Sequence, residues 1–173
     1  MVDEQPTSYD DQLFAVVDDL IAAEHYPVAV VVCQLVMELK AEVAFLVLFS
    51  LNTPRSTDVL MDLVPDRSFM DKRTRALWTE LTGDSLTANK PRWKSYKEHV
   101  ERRNVAAHGA GLLGGVRAPR ITRQQATNSV EAVRSMSEHI GYVLEQQVIA
   151  LTSRGDRDQF RALRAISPRP ELD

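Results

Sequence analysis

The chain has 173 residues, of which 44% are hydrophobic and 26% charged, with 7 glycines and 8 prolines. This composition excludes disordered and collagen-like proteins, and the length suits one globular domain with its own core. The single cysteine, Cys33, excludes an internal disulfide and a metal site built from cysteine pairs, so we expect a reducing compartment.

The N-terminal residues are acidic rather than basic, so they do not predict a signal peptide, and we expect a cytoplasmic protein. Residues 27–50 are nearly all apolar and about long enough to cross a bilayer. Glu38, Lys40 and Glu42 lie in the middle of this run, however, where a charged side chain is costly in lipid. A buried central helix therefore fits the segment better than a membrane span, and we expect no membrane partner.

The net charge of −3 conceals an uneven distribution along the chain. Residues 1–66 contain 2 basic and 12 acidic residues, whereas residues 90–123 contain 9 basic and 2 acidic residues. A local basic surface attracts a polyanion even when the whole chain is acidic. Charge alone nevertheless favours an ordinary solvated helix face over such a site.

Apolar residues at helical spacing predict two helices in the first fifty residues. The first spans about 8–25 and ends before Pro27, because proline disfavours helical backbone in the residue that precedes it. The second begins at about Pro27, which suits the first turn of a helix, and runs to about Ser50. Their short connection predicts a helical hairpin.

Two further helices are predicted before residue 83. A short one covers about 56–64, and a longer one runs from about Ser68 to Thr82. Gly83 directly follows the longer helix, at the position where a left-handed glycine commonly ends one.

Proline and glycine mark the limits of the fifth helix. Pro91 suits its first turn, and Gly109 lies just past its end. The glycine-rich stretch 109–115 is then predicted to be a loop.

The last long helix begins at Thr122, since Thr122 and Gln125 have the spacing of a capping box, and it runs to about Leu151. No alternating pattern in the chain predicts a strand. We therefore predict an all-α protein, an up-and-down bundle of about five to six helices. A single domain over 1–152 is followed by a flexible C-terminal tail over 153–173.

The fifth helix has an unusual distribution of polar residues. With 100° per residue, Trp93, Tyr96, Val100 and Ala107 fall on one side and predict the stripe that faces the core. The helical spacing of Trp93 and Tyr96 favours packing in the core over stacking on nucleic-acid bases.

Arg103 and His108 then lie on opposite flanks of that stripe, about 140° apart, with Asn104 between them. A solvated helix face would not place an arginine and a histidine at the edges of an apolar stripe. A guanidinium in that position must find an anion or reach water. The geometry allows a functional site, or a structural pair between arginine and a carboxylate beside a partly exposed histidine.

The segment Arg103-Asn104-Val105-Ala106-Ala107-His108 resembles the signature of the HEPN superfamily. That signature has an arginine, then a polar residue that is often asparagine, and a histidine after a gap of four to six residues. The gap here is four, and a glycine follows the histidine, as it often does in the family. The long apolar second helix with Glu38 is similar to the family's early helix with its acidic or polar residue. The resemblance covers about residues 8–151.

The resemblance implies a metal-independent endoribonuclease without a cofactor, usually a homodimer, that acts in toxin–antitoxin, abortive-infection or other defence settings. RNA would be the substrate, and an antitoxin or regulatory protein a further partner. His108 would be the acid and base for the 2′-hydroxyl, and Arg103 would bind the phosphate and stabilise the transition state. Asn104 would position these groups.

Two other functions stay open at this point. HEPN-like domains include members that bind nucleotides or proteins without cleaving RNA, and the motif does not separate the two groups. An all-helical transcriptional repressor or adaptor would share a similar helical core. A repressor requires a helix-turn-helix with a recognition helix, and the sequence has no such short three-helix pattern.

Several residues near the motif are candidates for supporting roles. Glu38 pairs with Arg103, or the polar stripe of Gln34, Glu38 and Glu42 reaches solvent instead; the sequence favours neither. Basic side chains that could guide RNA phosphates are Arg92, Lys94, Lys97, Arg102, Arg117, Arg120 and Arg123.

The remaining histidines and the cysteine have no pattern typical of a reactive site. His25, His99 and His139 are scattered without a ligand spacing, so we predict no metal site. Cys33 lies in an apolar run and is predicted to be a small buried hydrophobic residue rather than a nucleophile.

Overall fold

The computed structural model describes residues 9–52, 61, 68–108 and 120–153. These residues form helices and connecting turns and contain no strand, which confirms the predicted all-α class. The helices, in chain order, are α1 (Tyr9–Ala22), α2 (Tyr26–Asn52), α3 (Lys72–Thr82), α4 (Lys90–His108) and α5 (Arg123–Ser153). The up-and-down order and the HEPN-like arrangement stay predictions.

The first connection is longer than the sequence predicts, since it covers residues 23–25. α1 ends at Ala22 rather than near residue 25, because Glu24 adopts a left-handed φ of 61°. The amide of His25 donates to the carbonyl of Leu20 at 2.8 Å, which closes the end of the helix. Pro27 lies in the first turn of α2, as its fixed φ favours.

α3 begins at Lys72, later than the predicted start at Ser68. Asp71 is its N-cap, since its carboxylate accepts hydrogen bonds from the amides of Arg73 and Thr74 at 2.8 and 3.0 Å. These hydrogen bonds lower the pKa of Asp71 and keep the cap ionised. Gly83 ends the helix with a φ of 72°, so the predicted left-handed stop is confirmed.

The start of α5 confirms the predicted capping box. The amide of Thr122 donates to Oε1 of Gln125 at 2.9 Å, and the amide of Gln125 donates to Oγ1 of Thr122 at 3.3 Å. Pro91 lies in the first turn of α4, where Oδ1 of Asn89 accepts from the amide of Arg92.

Three sequence predictions fall outside the described residues. They are the short helix at 56–64, apart from residue 61, the glycine-rich loop at 109–115, and the tail beyond Ser153. Among the described helices none is long and apolar enough to cross a membrane.

The described helices belong to two compact units. The first unit contains α1, α2 up to Lys40, α4, and α5 up to Glu138. The second contains the rest of α2, α3 and the rest of α5. The single domain predicted over 1–152 stays a prediction.

The first unit contains an apolar cluster that packs against the end of α4. Val30, Ile121 and Ala126 are buried together, and the partly buried Val105 and Ala106 of α4 pack against them. These contacts hold the last two turns of α4 against the core of the first unit.

Three helices of the first unit share one carboxylate. Asp10 of α1 accepts from Nζ of Lys40 at 2.6 Å and from Oγ of Ser137 at 3.2 Å. Such a partly buried, charge-assisted contact fixes the relative register of α1, α2 and α5.

The second unit has an aromatic core. Trp78 meets Phe45 and Phe69 edge to face, with ring centroids 6.4 and 5.6 Å away. Its indole N–H donates to Asp84 at 3.1 Å, and His139 contacts the same carboxylate oxygen at 3.0 Å. The left-handed turn at Gly83 brings Asp84 into this position.

Replacement of Gly83 tests the left-handed turn. A Cβ at this position meets no described atom within 4 Å, so the substitution strains only the backbone. We expect Gly83→Ala to lower the free energy of unfolding by ~1 kcal/mol and Gly83→Asn to lower it by less, because asparagine tolerates this conformation better. Urea denaturation measures both changes, and an alanine variant as stable as the wild type would contradict the assigned backbone conformation.

Candidate functional site

The buried face of α4 is rotated from the one that the sequence predicts. Tyr96 and His99 are buried, whereas Ala107 and Asn104 are exposed. Arg103 lies on the same side as Tyr96, since seven residues make about two helical turns. The prediction that Ala107 belongs to the core stripe is wrong, because a buried histidine and an arginine stem occupy the packed side instead.

Near the end of α4, the side chain of Arg103 contacts two others, Glu38 of α2 and Asn104 of α4. Its Nη2 lies 3.9 Å from Oε1 of Glu38, and its Nη1 donates to Oδ1 of Asn104 at 3.3 Å. The arginine side chain is 35% exposed and that of Glu38 is 41% exposed. This ion pair is long and partly solvated, so the guanidinium keeps donors available for a second anion.

Both interpretations of Glu38 hold in part, since its side chain contacts Arg103 at 3.9 Å and is also partly exposed to solvent. Glu38 lies across from α4 and meets Arg103, while Gln34, one turn earlier, is buried. The amide nitrogen of Gln34 donates to Oε1 of Glu38 at 3.0 Å. One carboxylate oxygen therefore faces both the buried amide and the guanidinium.

Tyr96 is buried beside this pair. Burial raises the pKa of Tyr96, the negative charge of Glu38 raises it further, and a hydrogen bond with the side chain of Gln34 lowers it. The phenol is protonated at neutral pH as a result. The sequence interpretation of Tyr96 as a core residue is confirmed, but its polar contact with Gln34 was not predicted.

His99 is a buried neutral base within the same face of α4. It is fully buried, and neither ring nitrogen has a hydrogen-bond partner among the described residues. Burial lowers the pKa of His99 to about 4, and the positive charges of Arg102 and Arg103 contribute. The ring is therefore neutral at pH 7 and packs beside Tyr96, with ring centroids 6.0 Å apart.

His108 is the last residue of α4. It follows Arg103 by five residues, which is about 7.5 Å of rise along the helix axis. Its backbone is helical, and its side chain lies outside the described part of the protein.

The basic residues predicted to bind RNA have different surroundings. Arg102 contacts Glu98 at 3.2 Å and donates to Oγ of Ser129 at 3.3 Å, and Lys94 contacts the same glutamate at 3.8 Å. Two of the cations therefore share one carboxylate. Of the others, Lys97 and Arg120 are exposed, and Arg117 lies outside the described residues.

A groove of about 310 Å³ lies between α4 and α5 in the first unit. Arg92, Glu98 and Arg102 line it from α4, and Glu131 lines it from α5. Because its charged groups alternate in sign, the groove does not suit the backbone of a polyanion. It lies on the side of α4 that carries Arg102, whereas Arg103 faces α2.

Other candidate chemistry has little support in the described residues. They contain no group of three or more histidine, cysteine or acidic side chains that could hold a metal ion. Burial raises the pKa of the Cys33 thiol to about 12, with Asp18 adding to the shift, so the thiol stays protonated at neutral pH. The prediction that Cys33 is a small buried residue is confirmed.

Comparison with known proteins adds no relative. No family model, curated protein or solved structure matches the chain. The HEPN resemblance therefore depends on the motif residues and their helical context.

The buried His99 predicts a specific dependence of stability on pH. The unfolded chain binds a proton near pH 6.5, whereas the folded protein does so only near pH 4. Stability from the neutral ring is thus present above pH 6.5 and is lost as the pH falls towards 4. Between pH 7.5 and pH 5, we expect the free energy of unfolding of the wild type to fall by ~2 kcal/mol more than that of His99→Leu.

Urea denaturation at the two pH values measures this difference. Met136→Leu, a change of a buried residue that does not titrate, is the control and keeps the wild-type dependence. Parallel losses in the wild type and in His99→Leu would show that the pKa of His99 is not lowered in the folded protein.

Proposed function

We propose that the chain is a metal-independent endoribonuclease of the HEPN type. The observation that supports it most is the position of Arg103 at the end of α4. Its partly exposed guanidinium lies between Glu38 and Asn104, and His108 follows five residues later. An oriented guanidinium with free donors is suited to bind a phosphodiester.

The chemistry requires only RNA and these side chains. His108 removes the proton of the ribose 2′-hydroxyl, and the 2′-oxygen attacks the adjacent phosphorus. Arg103 binds the non-bridging oxygens, whose negative charge increases in the transition state. The bond from phosphorus to the 5′-oxygen breaks and that oxygen gains a proton, so the products are a 2′,3′-cyclic phosphate and a 5′-hydroxyl. DNA has no 2′-hydroxyl and is spared.

A homodimer is part of the proposal, and the surface of α2 supports it. Val28, Val31 and Leu35 lie on one side of the helix and are 51%, 39% and 44% exposed. Glu38 follows Leu35 by three residues, so the pair of Glu38 and Arg103 borders this apolar stripe. A second copy that covers the stripe would bring two Arg103 sites to one interface.

One observation favours a non-catalytic binding module instead. Glu38 already contacts Arg103 and competes with an incoming phosphate, and Arg102 and Lys94 are both engaged by Glu98. In this second candidate function the motif binds a partner protein without cleavage.

For the nuclease, the resemblance adds a toxin–antitoxin or phage-defence setting in which an antitoxin or regulatory protein restrains the activity.

Cleavage of total RNA in the presence of EDTA tests the nuclease. We expect the wild type to cut, and Arg103→Ala and His108→Ala each to lose activity by roughly 10²-fold or more. The free energy of unfolding of His108→Ala should change by no more than ~1 kcal/mol, because His108 is not an apolar core residue. End-group analysis should find a 2′,3′-cyclic phosphate.

Arg73→Ala, the removal of an exposed arginine on α3, is the matched control and should retain activity. Cleavage by the double variant Arg103→Ala, His108→Ala would assign the activity to a contaminant. Activity that EDTA abolishes, or products with a 3′-hydroxyl, would indicate metal-assisted hydrolysis instead. No cleavage by the wild type would favour the binding module.

Mixing inactive chains tests the shared site. After subunit exchange, Arg103→Ala chains and His108→Ala chains form heterodimers that keep one intact arginine and one intact histidine. If the two groups act across the interface, part of the activity returns. Confirmed exchange without recovery would reject a site that uses one arginine and one histidine from different chains.

Leu35→Glu tests the proposed dimer surface. A carboxylate in the apolar stripe should produce a monomer in sedimentation experiments and prevent recovery of activity in the mixture. Val16→Glu, at a similarly exposed position on α1, is the control and should leave the dimer intact. A Leu35→Glu protein that remains dimeric would place the interface elsewhere.

A further inference from the structure

The contact between α2 and α4 has two polar levels. At the first, Gln34 of α2 meets Tyr96 of α4, and at the second, Glu38 meets Arg103. Gln34 and Glu38 are four residues apart, and Tyr96 and Arg103 are seven apart. These spacings keep each pair on one side of its helix. The levels occur in the same order along both helices, so α2 and α4 run parallel here.

Gln34 links the two levels. Its Nε2 donates to Oε1 of Glu38 at 3.0 Å, while its own Oε1 is buried and has no partner among the described residues. Turning the amide over would bring its oxygen against the carboxylate. The observed orientation therefore depends on the contacts with Glu38 and Tyr96, and it leaves the amide oxygen unsatisfied.

The two levels differ in how firmly they are held. Glu38 and Arg103 are partly exposed, and a solvated ion pair alone does not fix two long side chains in one conformation. Gln34 and Tyr96 are buried, and His99 packs beside the phenol ring. Apart from the hydrogen bond of Arg103 to Asn104, the buried inner level is the part of the described contact that can restrict the partly exposed outer level.

We propose that Tyr96 and Gln34 are positioning residues for Arg103, which act through Glu38. Tyr96 fixes the Gln34 amide, the amide fixes the carboxylate, and the carboxylate orients the guanidinium at Nη2. Nη1 then faces Asn104 and the exposed side, where an anion approaches. The orientation of Arg103 follows from the contacts alone, while its effect on catalysis rests on the proposed nuclease function.

NMR of the guanidinium tests the positioning without any need for cleavage. The Nε–Hε resonance of Arg103 is assigned by its loss in Arg103→Lys. We expect Tyr96→Phe, which removes one buried oxygen atom, to shift or broaden that resonance. Tyr142→Phe removes the same atom from an exposed tyrosine and is the matched control, which should leave it unchanged. An unchanged Arg103 resonance in Tyr96→Phe overturns the proposal.

A double-mutant cycle with Glu38→Met tests whether the effect passes through the carboxylate. We expect Tyr96→Phe to lower kcat for RNA cleavage about fivefold in the wild type and less than twofold in Glu38→Met, since methionine has no oxygen to accept from Gln34 and the link is already broken there. Equal fold-changes in both backgrounds would mean a general packing defect and overturn the proposal. Gln34→Met, which keeps the side-chain length without the amide, repeats the test if Tyr96→Phe does not fold.

The two proposals fail separately. If the resonance changes but the wild type cuts no RNA, the nuclease function is rejected and the positioning stands. If the wild type cuts RNA but the resonance and the cycle show no coupling, the positioning is rejected and the nuclease stands.

Discussion

The structure of the first unit depends on how a polar helix packs against an apolar one. α4 contains few large apolar residues, so it cannot be held by hydrophobic contact alone. It presents Tyr96, His99 and the stem of Arg103 to its neighbours, and the polar atoms of these side chains need partners inside the protein. Gln34 and Glu38 of α2 supply partners to Tyr96 and Arg103, whereas the ring nitrogens of His99 have none among the described residues. The polar residues that interrupt the apolar run of α2 therefore add to the apolar contacts of Val105 and Ala106 in packing α4.

Local signals in the sequence predicted the ends of the helices well. The capping box at Thr122 and the left-handed stop at Gly83 involve only neighbours in the chain, so a spacing rule captures them. The start of α3 was missed because Asp71 provides a better cap than Ser68, and a choice between two capping residues depends on the hydrogen bonds that each can make.

The rotation of α4 was not predictable in the same way. The core stripe was predicted from the spacing of apolar residues, but the packed side of α4 includes the buried His99 and the partly buried Arg103. Their burial depends on partners from α2, which spacing within α4 does not reveal. The pairing of Glu38 with Arg103 was one of two alternatives, and the link between Gln34 and Tyr96 could not be foreseen for the same reason.

The excess of basic residues in the sequence overstates the positive electrostatic potential at the surface, because some of these residues form ion pairs. The segment 90–123 has an excess of basic residues, yet Arg102 and Lys94 share Glu98. An ion pair contributes little long-range potential, because its charges cancel beyond a few ångströms. Recognition of a phosphodiester would then depend on a few exposed cations near the end of α4 rather than on a continuous basic surface.

The ion pair between Glu38 and Arg103 is weak, so it is compatible with the proposed binding of a phosphate by Arg103. A partly exposed ion pair contributes ~0–1 kcal/mol, whereas hydrogen bonds to charged groups with good geometry contribute ~1.5–3 kcal/mol each. At 3.9 Å the Glu38 contact at Nη2 is weak, and Nη1 lies on the exposed side beside Asn104. A charged imidazolium at His99 would repel the guanidinium, and burial keeps that ring neutral. Under the proposed function, Glu38 would hold Nη2 while a phosphate binds at the donors that remain.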